Sequence, residues 1–146
     1  MRIAVVAVGK VKERELRAVL DDYYGRIKRY ARLEELELKD ASPSEVSARM
    51  QKAIDPRGKT VALEVDGQAW SSRRLADFVA ECEGTSVQTV SFLIGGAYGL
   101  PPDVSRAADV RLSLSAMTLP HRLARVVLAE QIYRAYTILR GEPYSH

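Results

Sequence analysis

Short apolar runs alternate with longer amphipathic stretches along the whole chain. The run 3–8 is nearly continuous, a pattern typical of a strand that is buried on both faces, and the runs 60–65 and 87–94 also predict strands. The shorter run 110–114 predicts a further strand, and the partial alternation of 33–38 predicts an exposed or edge strand. Five strands are therefore expected, the first of them close to the amino terminus.

The stretches between these runs show helical spacing. Ser42, Pro43 and Glu45 have the pattern of an N-cap, a first helical proline and the third position of a capping box. The predicted helices span about 12–30, 43–54, 72–83, 102–107 and 121–139. Because strands and helices alternate throughout, the chain is expected to be a single α/β domain, residues 1–146, with a mostly parallel sheet.

The carboxyl ends of three predicted strands are expected to form one ligand site. Parallel sheets bind ligands at this edge, and the segments concerned are 63–67, 95–99 and 114–120. The third strand is expected to stop at Asp66-Gly67, and the glycines at 95, 96 and 99 leave backbone open to a ligand. The walls should be backbone, small side chains and apolar groups rather than carboxylates or histidines. Such walls suit the binding of a flat aromatic ring better than they suit a site for metal-assisted hydrolysis.

One familiar phosphate-binding motif is excluded, and a second is only weakly supported. The tripeptide 58–60 resembles the end of a P-loop, but position 53 is Ala53 where the loop requires glycine, and the tripeptide precedes a strand. The glycines at 95, 96 and 99 do not form the dinucleotide fingerprint and lie outside the first strand–helix unit. A nicotinamide site is therefore weakly supported.

Composition narrows the class of protein without identifying it. The 146 residues are 47% hydrophobic and 28% charged, as in an ordinary globular domain, and the net charge of +3 only weakly suggests a polyanionic partner. Cys82 is the single cysteine, so no internal disulfide can form, and its helical context favours a small buried or half-exposed thiol over a nucleophile. No apolar stretch approaches the roughly 20 residues that span a bilayer, and a cytoplasmic location is expected.

The last predicted helix, 121–139, is apolar almost all round. One face is expected to pack on the sheet and the other on a second subunit, with a centrally buried helix as the alternative. Glu130 and Arg134 form an i,i+4 pair in the favourable order, with a structural or a functional role. A separate basic cluster comprises residues 26, 28, 29 and 32, which is either a solvated face or an RNA contact.

Several segments of the chain resemble a known family. The segments that carry the resemblance are 5–10, 93–100, 114–121, 125–135 and Pro143-Tyr144. They are similar to the H-type ribosomal large-subunit methyltransferases of the SPOUT class, and the resemblance covers essentially the whole chain. It implies helices on both faces of the sheet and a C-terminal trefoil knot, an exception to the usual absence of knots.

The resemblance also implies a function. The cofactor would be S-adenosylmethionine, without a metal, and the active unit a homodimer. The substrate would be a pseudouridine in a stem-loop of 23S large-subunit rRNA, methylated at N3 on the assembled ribosome. Two alternatives stay open, namely a non-catalytic ribosome-associated RNA-binding protein and a SPOUT methyltransferase that acts on tRNA.

Site residues follow from the same resemblance, position by position. The implied cofactor contacts are Leu63, Gly95, Leu114, Ser115, Ala116, Met117, Thr118 and Leu119. The residues implied to act on the base are His121, Glu130, Arg134 and Tyr144.

The chain departs from the family pattern in two places. Tyr98 stands where the glycine loop usually has a polar or acidic residue. The tail has Glu142 and Ser145 where the family usually has histidines, and His146 lies one position beyond the second of them.

Overall fold

Five strands and five helices alternate in the computed structural model, which describes residues 1–144. The strands are β1 (Arg2–Val8), β2 (Arg32–Leu38), β3 (Lys59–Ala69), β4 (Thr89–Ile94) and β5 (Val110–Ser113). The helices are α1 (Arg14–Ile27), α2 (Pro43–Ala53), α3 (Ser72–Gly84), α4 (Pro102–Ala107) and α5 (His121–Arg140). Every predicted element is present, and most boundaries lie within two or three residues of the prediction.

All five strands form one parallel sheet in the order β2-β1-β4-β3-β5. β1 and β4 are neighbours at the centre, with Ala7 opposite Ile94. Both are buried almost throughout, which explains the continuous apolar sequence of β1, and β4 buries Thr89 and Ser91 among its apolar residues. β2 lies at one edge of the sheet, as its partial alternation predicted.

The prediction that the third strand ends at Asp66-Gly67 is wrong. β3 continues to Ala69, because its pairing with β5 is interrupted after Leu63 and resumes at Gln68. Gly67 lies in this irregularity, where an added Cβ would come within 2.6 Å of the Arg111 carbonyl oxygen. The Asp-Gly sequence therefore marks a bulge with close backbone approach and not a turn.

Helices cover both faces of the sheet, as expected. α1, α3 and α5 pack over Ile3, Val5 and Ala7, whereas α2 and α4 pack over the alternate side chains of β1. Cys82 is buried in the first layer, and burial raises the pKa of its thiol. The prediction of a small core cysteine is confirmed.

The start of α2 matches its predicted cap. The Ser42 hydroxyl accepts a hydrogen bond from the Glu45 backbone N–H at 3.3 Å and donates to the Glu45 carboxylate at 2.8 Å. Pro43 occupies the first helical position, where its missing N–H costs nothing.

α5 is covered largely within the chain. It packs between α1 and α3, and of its large apolar side chains only Leu123 and Val127 are exposed, at 42% and 36%. The alternative of a centrally buried helix therefore describes α5 better than a helix with one whole face left uncovered. The homodimer, the trefoil knot and the single-domain extent stay predictions. No helix within residues 1–144 combines the length and the apolar character that crossing a membrane requires.

Candidate active site

A cavity of about 560 Å³ opens at the carboxyl ends of β3, β4 and β5, beside the start of α5. It is lined by segments of all three strand ends and by the first turn of α5, namely 63–65, 94–97, 99–100, 112, 114–115, 117–121 and 124. The three segments that the sequence placed at one edge do line a single crevice.

Seven of the eight predicted cofactor contacts line this cavity, and Ala116 does not. Glu64 and His121 also line it, so the expectation of walls without carboxylates or histidines is wrong. Glu64 reaches the cavity because β3 leaves its pairing with β5 after Leu63. Burial raises the pKa of Glu64, although Arg111 lies 3.8 Å from its carboxylate. The sequence placed Glu64 within the crevice segment 63–67 but assigned its side chain no role.

The glycine loop is a tight turn that closes on itself. The Gly99 N–H donates to the Gly96 carbonyl at 3.0 Å, and Gly99 has a φ of 82°. A Cβ added to Gly95 would lie 2.3 Å from the Gly99 carbonyl carbon. Gly95 is therefore required by the backbone packing of the turn itself, before any ligand is considered.

The loop after β5 is held by its own serines. The Ser113 hydroxyl donates to the Ser115 carbonyl at 3.0 Å, and the Met117 N–H donates to the Ser115 hydroxyl at 3.0 Å. These bonds order the backbone of the segment that forms one wall of the cavity. A ligand would meet a surface that is already shaped for it.

A second polar cluster lies further along α5 and joins three of the predicted catalytic residues. Arg134 donates to the Glu130 carboxylate at 2.6 Å, and the Tyr144 hydroxyl donates to the same oxygen at 2.8 Å. The Arg134 guanidinium lies 4.9 Å from the Tyr144 ring centroid, and the Tyr133 ring meets Tyr144 edge-on at 4.6 Å. We call Glu130, Arg134 and Tyr144 the acceptor cluster.

The pKa shifts in the acceptor cluster have local causes. Burial alone would raise the pKa of Glu130, but hydrogen bonds from Arg134 and Tyr144 outweigh it and hold that pKa below its usual value. Burial, with the hydrogen bond to Glu130, raises the pKa of Tyr144. Glu130 is therefore ionised and Tyr144 protonated at neutral pH.

Gln131 extends the acceptor cluster toward α3 and was missed by the sequence analysis. It donates to the Glu130 carboxylate at 2.8 Å and accepts from the Ser72 hydroxyl at 2.6 Å. A depression of about 300 Å³ lies beside this chain of bonds. Its lining includes Leu114, which also lines the main cavity. Gln131 directly follows Glu130, but nothing in the sequence places Ser72 next to it.

The structure separates His121 from the acceptor cluster. Glu130 follows His121 by nine positions of continuous helix, which is about 13 Å along the axis and two and a half turns around it. Arg134 lies one further turn away. A single chain thus brings three of the four predicted catalytic residues together and leaves the fourth at the cavity.

A buried arginine fixes the start of α5 to the sheet. Arg125 is 1% exposed, and it donates to the Gly9 carbonyl at 3.1 Å and to the Glu35 and Glu37 carboxylates at 2.6 Å each. Arg17 pairs with the same two carboxylates. This network holds the helical turn that carries the cavity residue His121.

Two further points concern metals and the tail. No group of three or more His, Cys, Asp or Glu side chains within residues 1–144 is placed to hold a metal ion. His146, the candidate replacement for the family's tail histidine, lies outside the described residues.

The whole chain, residues 1–146, matches the protein family described as predicted SPOUT methyltransferase. It is 51% identical to the ribosomal RNA large subunit methyltransferase H of Sorangium cellulosum, with both chains covered completely. It is 39% identical to the protein of the same name from Geobacter sulfurreducens, again over the full length of both.

Solved structures show the same fold at low sequence identity. A probable methylase family protein from Haemophilus influenzae aligns with a TM-score of 0.63 at 9% identity, over 99% of this chain and 70% of that one. A putative methylase family protein from Neisseria gonorrhoeae aligns with a TM-score of 0.56 at 13% identity, over 90% and 80%.

Proposed function

The chain belongs to the SPOUT methyltransferase family, and we propose that it methylates N3 of a pseudouridine in a stem-loop of 23S large-subunit rRNA. S-adenosylmethionine is the proposed methyl donor. The observation that carries the proposal is the cavity at the carboxyl edge, which has the predicted donor contacts as its walls. Relatives named as large-subunit rRNA methyltransferases, matched over the whole chain, support the RNA substrate.

The cavity suits this donor in size and in chemistry. Its volume of about 560 Å³ lies within the range of cofactor sites. Leu63, Gly95 and the loop 114–119 would hold the adenosine between apolar side chains and ordered backbone. Glu64 places a carboxylate in the cavity wall, where it would attract a cationic ligand. When bound, S-adenosylmethionine supplies a methyl group on a positively charged sulfur, which departs as a neutral thioether.

The acceptor cluster suits the other half of the reaction. Methylation at N3 forms a nitrogen–carbon bond and releases the N3 proton. Arg134 can stabilise the negative charge that develops on the ring oxygens. Tyr144, which already donates to the ionised Glu130, can accept the N3 proton while its own proton passes to Glu130. Solvent then removes the proton from Glu130.

The acceptor cluster and the α5 residues of the donor cavity lie on different turns of the helix. Reacting atoms must approach to about 3–3.5 Å, whereas Ala124, the cavity residue of α5 nearest to Glu130 in sequence, is six positions or about 9 Å of helix away. We therefore propose a homodimer in which each cavity is completed by the acceptor cluster of the second subunit. Leu123 and Val127 are one turn apart on the exposed side of α5 and supply apolar surface for such a contact.

The target base must leave its stack before it can reach the cavity. The net charge of +3 gives one chain only modest attraction for RNA. An assembled ribosome would supply further docking surface, and we propose it as the substrate in preference to naked RNA.

Transfer of a tritiated methyl group from S-adenosylmethionine tests this function. Equal amounts of 70S ribosomes, 50S subunits, deproteinised 23S rRNA and tRNA are compared, and the labelled nucleotide is mapped. We expect labelling of one pseudouridine in 23S rRNA, strongest with 70S ribosomes. Labelling of tRNA alone would establish the tRNA alternative, and ribosome binding without any transfer would establish the non-catalytic one.

A further inference from the structure

We propose that RNA beside the target nucleotide docks on the rim of the donor cavity, with an unpaired base stacked on Tyr98. Four basic side chains near Tyr98 would contact the phosphates of this RNA. These are Lys10, Lys12, Arg14 and Lys39, which we call the basic rim. The inference rests on the proposed function and names the surface that receives the RNA.

Tyr98 is an aromatic ring held out into solvent. It is 97% exposed, and it lies on the tight turn that Gly96 and Gly99 close with a backbone hydrogen bond of 3.0 Å. The turn also fits closely against β1, since a Cβ on Gly96 would come within 3.1 Å of the Val8 side chain. The ring is thus presented by an ordered backbone and is free on both faces to stack.

The ring lies where base flipping would require a new stacking partner, at the mouth of the cavity. Ala97 and Gly99, the neighbours of Tyr98, both line the donor cavity. Two other exposed apolar side chains of the described residues, Val65 and Met117, line it as well. A base that enters the cavity leaves the adjacent base without a stacking partner. A tyrosine at the mouth replaces that partner, and the stacking accepts any base because every base has a π-face.

The basic rim lies along the same edge. β1 and β4 run parallel with Ala7 opposite Ile94, so the chain after β1 and the glycine turn leave the sheet side by side. The Gly9 N–H donates to the Leu38 carbonyl at 2.7 Å, which brings the segments of Lys10 and Lys39 together. An ion pair between Glu13 and Arg122 ties this segment to the residue that follows the cavity residue His121.

The charges of the basic rim are available to a partner. All four side chains belong to exposed residues, and none forms an ion pair with any residue of 1–144. By contrast, the nearby arginines 17, 122 and 125 all pair with carboxylates. Glu15 and Asp40 are exposed in the same segments, so the local balance remains positive. Unpaired lysine and arginine beside a stacking aromatic are the combination that grips single-stranded RNA.

Steady-state kinetics on ribosomes separates stacking from other roles of Tyr98. We compare Tyr98→Ala, Tyr98→Leu and Tyr98→Phe, and measure S-adenosylmethionine affinity by calorimetry for each. Alanine and leucine should raise KM for ribosomes about tenfold, with kcat and donor affinity within about twofold of wild type. Phenylalanine keeps the ring and should behave as wild type. If leucine also preserves KM, the side chain serves an apolar protein contact and the stacking role is refuted.

The basic rim is tested by charge removal with a matched control. Lys10→Gln/Lys12→Gln should raise KM and lower the slope of log affinity against log salt by about two. Lys52→Gln/Lys59→Gln removes the same charge from exposed residues outside the rim and should change neither. Equal behaviour of the two double variants would overturn the proposal.

A binding assay keeps this inference separate from the proposed function. Anisotropy of a labelled single-stranded oligoribonucleotide reports docking without catalysis. If wild type transfers no methyl group but Tyr98→Ala weakens RNA binding tenfold, the surface stands and the catalytic proposal fails. If wild type methylates ribosomes and Tyr98→Ala has no effect in either assay, the surface fails and the function stands.

Discussion

The two ends of α5 carry two different kinds of site. At its start, the donor cavity is built from backbone, glycines and apolar side chains, with ordered loops as its walls. Beyond its middle, the acceptor cluster is built from charged side chains that satisfy one another. In the proposed function the first region would recognise a ligand by shape, and the second would act by charge. One helix carries both regions, with Ala124 of the cavity and Glu130 of the acceptor cluster about 9 Å apart along its axis, and in the proposed reaction two copies of the chain bring the regions together.

Removing the charge at the acceptor cluster should have the largest effect on the reaction. Arg134→Ala is expected to lower kcat by about 10²–10³-fold, the usual cost of removing a group that stabilises developing negative charge. Because the donor cavity lies elsewhere in the chain, S-adenosylmethionine affinity should stay within twofold, as measured by calorimetry. Arg140→Ala, on the same helix but exposed, is the control and should retain activity. A parallel loss of donor affinity would show that the two regions are not distinct.

Filling the cavity should instead lower the affinity for S-adenosylmethionine and leave the acceptor cluster intact. Ala124 lines the donor cavity from α5, so Ala124→Phe should weaken S-adenosylmethionine binding at least tenfold, or about 1.4 kcal/mol. The acceptor cluster should keep its structure. Ala18→Phe, at an exposed helical position of α1, is the matched control. Unchanged donor affinity in a folded Ala124→Phe protein would show that the cavity does not bind S-adenosylmethionine.

A smaller effect is expected from the hydroxyl of the acceptor cluster. Tyr144→Phe removes the hydrogen bond to Glu130 and keeps the ring against Tyr133 and Arg134. We expect kcat to fall about tenfold with KM and donor affinity nearly unchanged, the pattern of an interaction made mainly in the transition state. Wild-type turnover would assign the N3 proton to another acceptor.

The smallest effect concerns folding stability and pH. The pKa of Glu130 in the folded chain lies below its ordinary value of 4.5, so its ionised form stabilises the fold above that pH. Glu130→Gln should therefore lower the free energy of unfolding at pH 7 by up to about 1 kcal/mol. The difference from wild type should shrink as pH falls below about 4.5, as measured by urea unfolding at pH 7 and pH 3.5. A difference that grows toward acid pH would contradict this assignment.

The donor cavity was largely predictable from sequence because it follows from strand ends. A parallel sheet brings the carboxyl ends of β3, β4 and β5 to one edge, and glycine marks the turn after β4. The bulge in β3 was not predicted from the sequence, because an Asp-Gly pair such as Asp66-Gly67 is compatible with both a turn and a bulge. Glu64 lay within the predicted segment 63–67, but walls without carboxylates were expected, and its carboxylate at the cavity was therefore not predicted.

The acceptor cluster was only half predictable. The spacing of Glu130 and Arg134 on one helix gives their ion pair directly. The place of Tyr144 depends on the path of the chain after α5. That path starts at Gly141, which caps the helix in the left-handed conformation at a φ of 66°. Tyr30 then donates to the Glu142 carboxylate at 2.5 Å, a contact across 112 positions that no local pattern encodes. The separation from His121 is a simple consequence of helix geometry once α5 is known to be unbroken.

Subunit complementation tests the central claim most directly. Ala124→Phe and Arg134→Ala chains are co-expressed with different tags, and the mixed dimer is purified through both. One of its two sites then combines an intact cavity with an intact acceptor cluster from the other chain. We predict methyl transfer to ribosomes at about half the wild-type rate, while each parent dimer remains deficient. A mixed dimer no more active than its parents would show that the donor and acceptor groups do not act across two chains.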